Sequence, residues 1–279
     1  MVISGKGGTG KTVVAGSFAV LAKNKVMVDC DVDAADLHLL LHPKVRERHE
    51  FRSGQTAVVD KNLCKECGKC AQVCRFGAIR ADFTVESFSC EGCAFCSRVC
   101  PHGAISMKEN VAGEWFVSDT EYGLFVHAKL GIAEENSGKL VAKIRQVAKD
   151  MAEKNNLDHV IVDGPPGIGC PVIASLSGVD CALVVTEPTL SGLHDAQRVM
   201  EVSKHFNVPV KLVVNKYDLN ETMTEKIVEF CRERGVEVIG RIAFDKTVVK
   251  ALVEGKAIVG YAQCAAADEI ARIWDKLRN

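Results

Sequence analysis

Two hydrophobic patterns alternate along the chain. Short runs that are apolar at nearly every position (residues 1–3, 26–30, 159–163, 182–186, 210–215 and 237–242) read as strands buried on both faces. Between them lie longer stretches with apolar residues at helical spacing, residues 13–22, 137–155, 193–205 and 222–234, and two further helices close the chain. In residues 137–155 the apolar stripe is Leu140, Ile144, Val147, Ala148 and Met151. Strands separated by helices predict an α/β fold, a mostly parallel sheet with helices on both faces. The first strand, Met1 to Ile3, is short, and is either tolerated so or continued upstream.

Residues 52–108 break this alternation. Long apolar periods vanish there and Cys and Gly become dense, so the block reads as an insertion whose two halves are an internal repeat. Residues 115–130 read as a β-hairpin turning near 119–123. The predicted division is a discontinuous α/β domain at residues 1–52 and 109–279, with a small inserted α+β domain at residues 53–108.

Composition narrows the class. Of 279 residues, 47% are apolar and 25% charged, which suits a soluble domain with a core. The formal net charge of −1 gives no electrostatic reason to expect nucleic acid or an anionic membrane as partner. No apolar stretch approaches the roughly 18 residues of a membrane span, and no signal peptide precedes the first motif, so a cytoplasmic protein is expected. The 13 cysteines change the picture, because eight of them crowd between Cys64 and Cys100. Clustered thiols without export signals point to metal rather than disulfides.

Gly5, Lys6, Gly7, Gly8, Thr9, Gly10, Lys11 and Thr12 spell G-x-x-x-x-G-K-[ST] between a predicted strand and a predicted helix. Glycines let such a loop curl its N–H groups toward phosphate oxygens, and the helix N-terminus adds positive potential. Lys11 is then the candidate for the β- and γ-phosphates and Thr12 for Mg²⁺.

With Lys6 as a second lysine, this loop resembles the deviant Walker A loop of the MinD/ParA ATPases, a family that includes nitrogenase iron protein and related metal-insertion ATPases. The resemblance covers the chain outside the insertion. It implies ATP and Mg²⁺ as ligands and an ATP-dependent homodimer in which Lys6 reaches the partner's phosphates. Val28-Asp29-Cys30-Asp31-Val32-Asp33 is similar to the family's switch I segment, which implies that Asp31 orients the attacking water. Asp36 lies near a position where the MinD branch has asparagine. Val162-Asp163-Gly164-Pro165-Pro166-Gly167 is similar to the Walker B and switch II segment. That implies an Asp163 holding Mg²⁺ through water and a γ-phosphate sensor at the Gly164 or Gly167 backbone. Val214-Asn215-Lys216 is similar to the base-contacting strand end, with Asn215 as the purine contact. Asp29 reads equally well as a structural residue. Asn215-Lys216-Tyr217-Asp218 also reads as N-K-x-D, a guanine signature, which leaves GTP open beside ATP.

Cys64-x2-Cys67-x2-Cys70-x3-Cys74 is followed by Cys90-x2-Cys93-x2-Cys96-x3-Cys100-Pro101. This is the bacterial two-cluster ferredoxin run, in which each fourth cysteine ligates the other cluster. It predicts two [4Fe–4S] clusters, one on Cys64, Cys67, Cys70 and Cys100, the other on Cys74, Cys90, Cys93 and Cys96. Zinc is the alternative for four-thiolate sites. Arg75 departs from the pattern, standing where proline follows the fourth cysteine, and its charge would raise the potential of a nearby cluster. Cys170, just after the switch II segment, reads as a small buried thiol, with a shared metal at a dimer interface as the other reading. Cys30, Cys181, Cys231 and Cys264 read as packing residues.

These expectations combine into an ATP-driven homodimeric switch that couples nucleotide state to iron–sulfur clusters, for electron transfer or metal-centre assembly on a client protein. Two rivals stand beside it: a ParA- or MinD-like positioning ATPase with structural or sensory clusters, and an electron carrier whose nucleotide site regulates docking. The terminal helix, residues 265–278, mixes acids and bases evenly, which counts against membrane positioning.

Overall fold

The computed structural model describes residues 1–131 and 137–278, which divide into two compact units. The first comprises Met1–Arg48, Trp115–Lys129 and the chain from Ser137; the second comprises His49–Glu114 with Leu130 and Gly131. Two of the divisions, at 48/49 and 114/115, fall inside 16-residue strands, one strand each, and not at the ends of the cysteine-dense block.

In chain order the elements are β1 Val2–Ser4, α1 Lys11–Leu21, β2 Lys25–Asp29, α2 Leu37–Leu41, β3 Lys44–Val59, α3 Lys69–Val73, α4 Phe95–Val99, β4 Ile105–Thr120 and β5 Gly123–Leu130. They continue with α5 Ser137–Lys154, β6 His159–Pro166, α6 Cys170–Leu176, β7 Ala182–Thr186, α7 Leu190–His205, β8 Val210–Asn215, α8 Glu221–Glu233 and β9 Glu237–Ile242. Three helices close the chain, α9 Lys246–Val253, α10 Ile258–Tyr261 and α11 Ala265–Arg278, where two were expected.

The strands join in the order β3-β4-β5-β2-β6-β1-β7-β8-β9. From β5 to β9 every neighbouring pair is parallel. Fully apolar strands are what such a sheet demands, because both faces are covered. In β7 the alternation is direct. Leu183 and Val185 pack into one core with α1, α10 and α11 residues such as Phe18, Ile258 and Trp274. Ala182 and Val184 pack into the other, with Val172, Val199 and Ile227. Register brings two carboxylates together: Val28 pairs with Val162, and Asp29 with Asp163.

The expected hairpin forms, with β4 and β5 joined at Glu121 and Tyr122, but β4 begins ten residues earlier than the pattern suggested. On this hairpin His127 stacks between Phe116 and Phe125, with ring centroids 4.9 and 4.6 Å away, and its Nε2 lies 3.1 Å from the buried Ser118 hydroxyl.

Burial, with a smaller contribution from His38, lowers the His127 pKa from 6.5 to about 4. A base whose folded pKa is depressed stays neutral in the fold, while the unfolded chain takes a proton below pH 6.5. Stability is therefore complete above about pH 6.5 and falls as pH drops toward 4, by no more than about 3 kcal/mol. Urea denaturation of wild type and His127→Gln between pH 7 and 4 checks this: the stability gap between them should shrink as pH falls.

Candidate functional site

The C-terminal edge of the parallel sheet gathers the first candidate site, on the first unit. β1 ends at Ser4, and the loop of residues 5–10 leads into α1. Gly10 sits at φ 93°, and a Cβ there would meet the Asn215 amide at 2.2 Å, so the loop can close over β8 only with glycine. Gly5 is equally constrained, since a Cβ would lie 2.5 Å from the Asp195 backbone oxygen.

Lys11 opens α1 and is buried, with Nζ donating to Asp163 Oδ1 at 2.7 Å and standing 3.4 Å from the Thr12 hydroxyl. Burial disfavours its charge, but Asp163, Asp29 and Asp31 together outweigh burial and hold the Lys11 pKa above the ordinary lysine value. Asp29 is pushed the other way. Burial raises its carboxyl well above the usual range, and the Asp163 charge adds to this. Its two oxygens accept from the backbone N–H groups of Asp31 (3.0 Å) and Leu37 (3.2 Å), so Asp29 organises the loop that follows β2. Of the two readings of Asp29, this geometry matches the structural one. Asp31 is half-buried, accepts from the Ala34 N–H at 3.3 Å, and is also raised, chiefly by burial. Asp36 occupies the N-cap position of α2 and makes no side-chain cap bond.

Asn215 Nδ2 donates to the Thr9 carbonyl at 2.8 Å, and its Oδ1 accepts from the Lys216 N–H at 3.0 Å. Lys216 Nζ adds a bond to the Gly8 carbonyl at 3.1 Å. Asp218, the last letter of N-K-x-D, accepts from the Phe244 backbone N–H at 2.7 Å. Gly167 N–H donates to Ser4 O at 3.0 Å. Lys6 pairs with Glu187 at 2.5 Å and donates to the Ser191 hydroxyl at 3.0 Å, two partners that the motif reading passed over. The signal available for Glu187 was its position, a carboxylate just past the C-terminal end of an apolar strand, where α/β folds bind ligands. Among the described residues, Thr9 Oγ1 is the buried side-chain polar atom with no hydrogen-bond partner. A hydroxyl left unmet inside a phosphate loop fits an incoming oxyanion.

The second unit holds the eight clustered cysteines around two cavities. Cys74, Cys90, Cys93 and Cys96 line one of about 380 Å³. Cys64, Cys67, Cys70 and Cys100 line the other, which is far smaller at about 10 Å³. Cys74 and Cys100 are thus exchanged between the sequence repeats. Burial is the main influence raising the Cys70 thiol, and the charges of Cys100 and Cys64 raise it further. Cys96 is raised likewise by burial and then by Cys90, Cys93 and Cys74. Among the described residues, no three His, Cys, Asp or Glu side chains converge on one metal-ion position. Cys170 corrects an expectation. It is exposed, not buried, because it opens α6 immediately after the Gly167–Gly169 turn. Cys30 and Cys231 are buried, and Cys181 and Cys264 are half-buried.

A parallel sheet with a glycine-rich loop ending in Lys11 at the start of α1 defines a P-loop nucleotide-binding protein. The chain matches the CobQ/CobB/MinD/ParA nucleotide binding domain over residues 1–258 and belongs to that family; it is a P-loop ATPase. An uncharacterized protein of Methanocaldococcus jannaschii is 34% identical over 281 residues, spanning 100% of this chain and 95% of that protein. An iron–sulfur cluster carrier protein of Pyrococcus abyssi is 32% identical over 158 residues, 51% of this chain and 52% of the carrier. Among solved structures, the cell division ATPase MinD of Pyrococcus furiosus superposes with TM-score 0.60 at 20% identity, covering 100% of this chain and 98% of that one. Among the described residues, no helix is long and apolar enough to cross a membrane.

Replacing Lys11 by Met leaves Asp29 and Asp163 facing each other across the β2–β6 register without a cation. A proton relieves the pair, so the Asp29 carboxyl, already raised by burial and the neighbouring charge, is raised further, and the variant loses stability as pH rises through its folded pKa. Urea denaturation at pH 5 and pH 8 should give a destabilisation larger at pH 8 by about 1 kcal/mol or more. A penalty equal at both values would mean that Lys11 does not offset the charge on Asp29.

Proposed function

We propose that this chain is an ATP- and Mg²⁺-dependent homodimeric switch whose nucleotide state acts on two [4Fe–4S] clusters, for electron transfer or metal-centre assembly on a client protein. One observation carries the iron–sulfur reading: the eight cysteines divide into two fours with Cys74 and Cys100 exchanged. Four thiols per site suit a cluster, and the exchange is the ligation habit of two-cluster ferredoxins. Backbone geometry supports the same reading. Glu66, Gly68 and Gly77 in the first half and Gly92, Ala94 and Gly103 in the second all have positive φ, at the same offsets from Cys64 and Cys90. Both halves therefore turn alike around their first three cysteines. The bound clusters would supply one-electron chemistry.

On the first unit, Lys11 would neutralise the β- and γ-phosphates, and Thr12 and Asp163 would hold Mg²⁺. The Lys11–Asp163 pair is then a resting arrangement in which each charge waits for a stronger counterpart. Asn215 would contact the purine. Asp218, already engaged with the Phe244 N–H, is less available to read guanine, which favours ATP. Asp31 would orient the water that attacks the γ-phosphorus, with ADP as leaving group. Lys6 would reach the partner's phosphates and close the dimer. The link between the two functions is covalent: the Asp31 loop runs through α2 into β3, which carries the chain into the cysteine unit. A segment that reorders around the γ-phosphate therefore pulls on that strand. The likeness to an iron–sulfur cluster carrier supports a metal-centre client, while MinD-like positioning is the second reading that the fold likeness favours.

Anaerobic electron paramagnetic resonance of the reconstituted, dithionite-reduced protein tests the proposal. Two interacting [4Fe–4S]⁺ signals are expected, altered by a non-hydrolysable ATP analogue and insensitive to it in Lys11→Ala. Cys74→Ser should lower bound iron from about eight to about four per chain and spare the Cys64, Cys67, Cys70 and Cys100 site. Clusters indifferent to nucleotide would remove the coupling, and bound zinc without iron would remove the clusters.

A further inference from the structure

The family resemblance gives Lys6 a role across a dimer, yet in this chain Lys6 already has a partner at home. Its Nζ lies 2.5 Å from Glu187 Oε1 and donates to Ser191 Oγ at 3.0 Å. Glu187 is itself shared, because Lys216 Nζ approaches its other oxygen at 3.4 Å while also bonding to the Gly8 carbonyl. One carboxylate thus bridges the two lysines that flank the phosphate loop.

The carrier of that carboxylate is built stiffly. Glu187 follows β7, and its carbonyl comes so close to Gly192 that a Cβ there would lie 2.3 Å away. Thr189 caps α7, its hydroxyl accepting from the Gly192 N–H at 2.9 Å, and the Thr186 hydroxyl donates to the Gly192 carbonyl at 2.8 Å. On the facing side, the approach of Gly5 to Asp195 holds the base of the Lys6 loop against the first turns of α7. Backbone packing on both sides therefore fixes the separation of the two chain segments that carry Lys6 and Glu187.

We propose that Glu187 is the resting partner of Lys6, holding the second P-loop lysine on its own subunit until the phosphates of a second copy displace it. The proposal rests on the dimer reading above and adds the residue that sets its threshold. Lys216 makes the exchange reversible. When Lys6 leaves, Glu187 keeps a cation, so no unpaired half-buried carboxylate remains to oppose closure. With side chains 29% and 19% exposed, the Lys6–Glu187 pair is a modest restraint and not a block. Polyphosphate carries more charge than one carboxylate and wins the lysine once a partner presents it. ADP, which lacks the γ-phosphate, competes less well, so the restraint sharpens the distinction between the two nucleotides.

The test is nucleotide-dependent dimerisation by sedimentation velocity, across a dilution series with saturating non-hydrolysable ATP analogue or ADP. Glu187→Gln should lower the dimer dissociation constant in the analogue by about 3-fold, the scale of one partly exposed ion pair. It should also raise the dimer fraction in ADP. In the Lys6→Ala background the same substitution should change nothing, which separates release of Lys6 from a general effect on the fold or on Lys216. If wild type dimerises but Glu187→Gln does so equally or more weakly, Glu187 is not the restraint. If wild type stays monomeric at saturating analogue, the dimer reading falls and takes this inference with it.

Discussion

The nucleotide site depends on one buried charge arrangement. Parallel pairing of β2 with β6 places Asp29 beside Asp163 in register, and the helix start places Lys11 against them. Two carboxylates in a dry environment cannot both stay ionised without a cation, and a buried ammonium cannot stay charged without a carboxylate. Each element therefore requires the others. Strand register supplies the acids, the glycine loop lets α1 begin where Lys11 can reach them, and Asp29 spends its lone pairs on the Asp31 and Leu37 N–H groups of the following loop. Anything that draws Lys11 away, above all a polyphosphate, changes the electrostatics under that loop. The same pair that stabilises the resting fold thus makes it responsive.

The cysteine unit solves a different constraint. It has little apolar material of its own; its core among the described residues is Ala57, Cys70, Ile79 and Ile105 with partly buried neighbours. So small a core gives limited hydrophobic stabilisation, and metal ligation is a common remedy in units of this size. The duplicated positive-φ positions show that the backbone, not the intervening side chains, is what the repeat preserves. Ala94 adopts at φ 58° the turn that Gly68 makes at φ 77°, accepting the steric cost of a Cβ to keep the path.

Much of this was legible in the sequence, for reasons that differ by element. The parallel strands announced themselves because burial on both faces leaves β2 and β7 apolar except at their ends, Lys25 and Asp29 in β2 and Thr186 in β7. The phosphate loop was legible because phosphate binding demands fixed spacing, and the cysteine unit because its spacing repeats. Strand β3 was not, since its residues are nearly all exposed or half-buried, so no alternation of apolar residues marks it. Helix α6 hid behind the glycines and prolines of residues 164–171, which read as a loop, and with it the exposure of Cys170. Glu187 belonged to no motif. Its significance comes from the approach of Gly192 and Gly5 to their neighbours, a property of packing that a linear pattern does not carry.

The proposed switch and restraint would also account for three lysines near one loop rather than one. Lys11 is buried and answers to Asp163, and in the proposed switch it would respond to phosphate bound on its own subunit. Lys6 is partly exposed and answers to Glu187, and under the same proposal phosphate presented from a second copy would capture it. Lys216 bonds the Gly8 carbonyl and leans on the same Glu187, tying the loop to the β8 end that holds Asn215. Burial ranks these ammonium groups by how hard they are to move, from Lys11, almost inaccessible to water, to the two that share a carboxylate. A ligand reaching the loop would meet the stiff contact and the exchangeable ones on the same few residues. In the proposed dimer, that arrangement would let binding on one subunit precede, and prepare, engagement with a second.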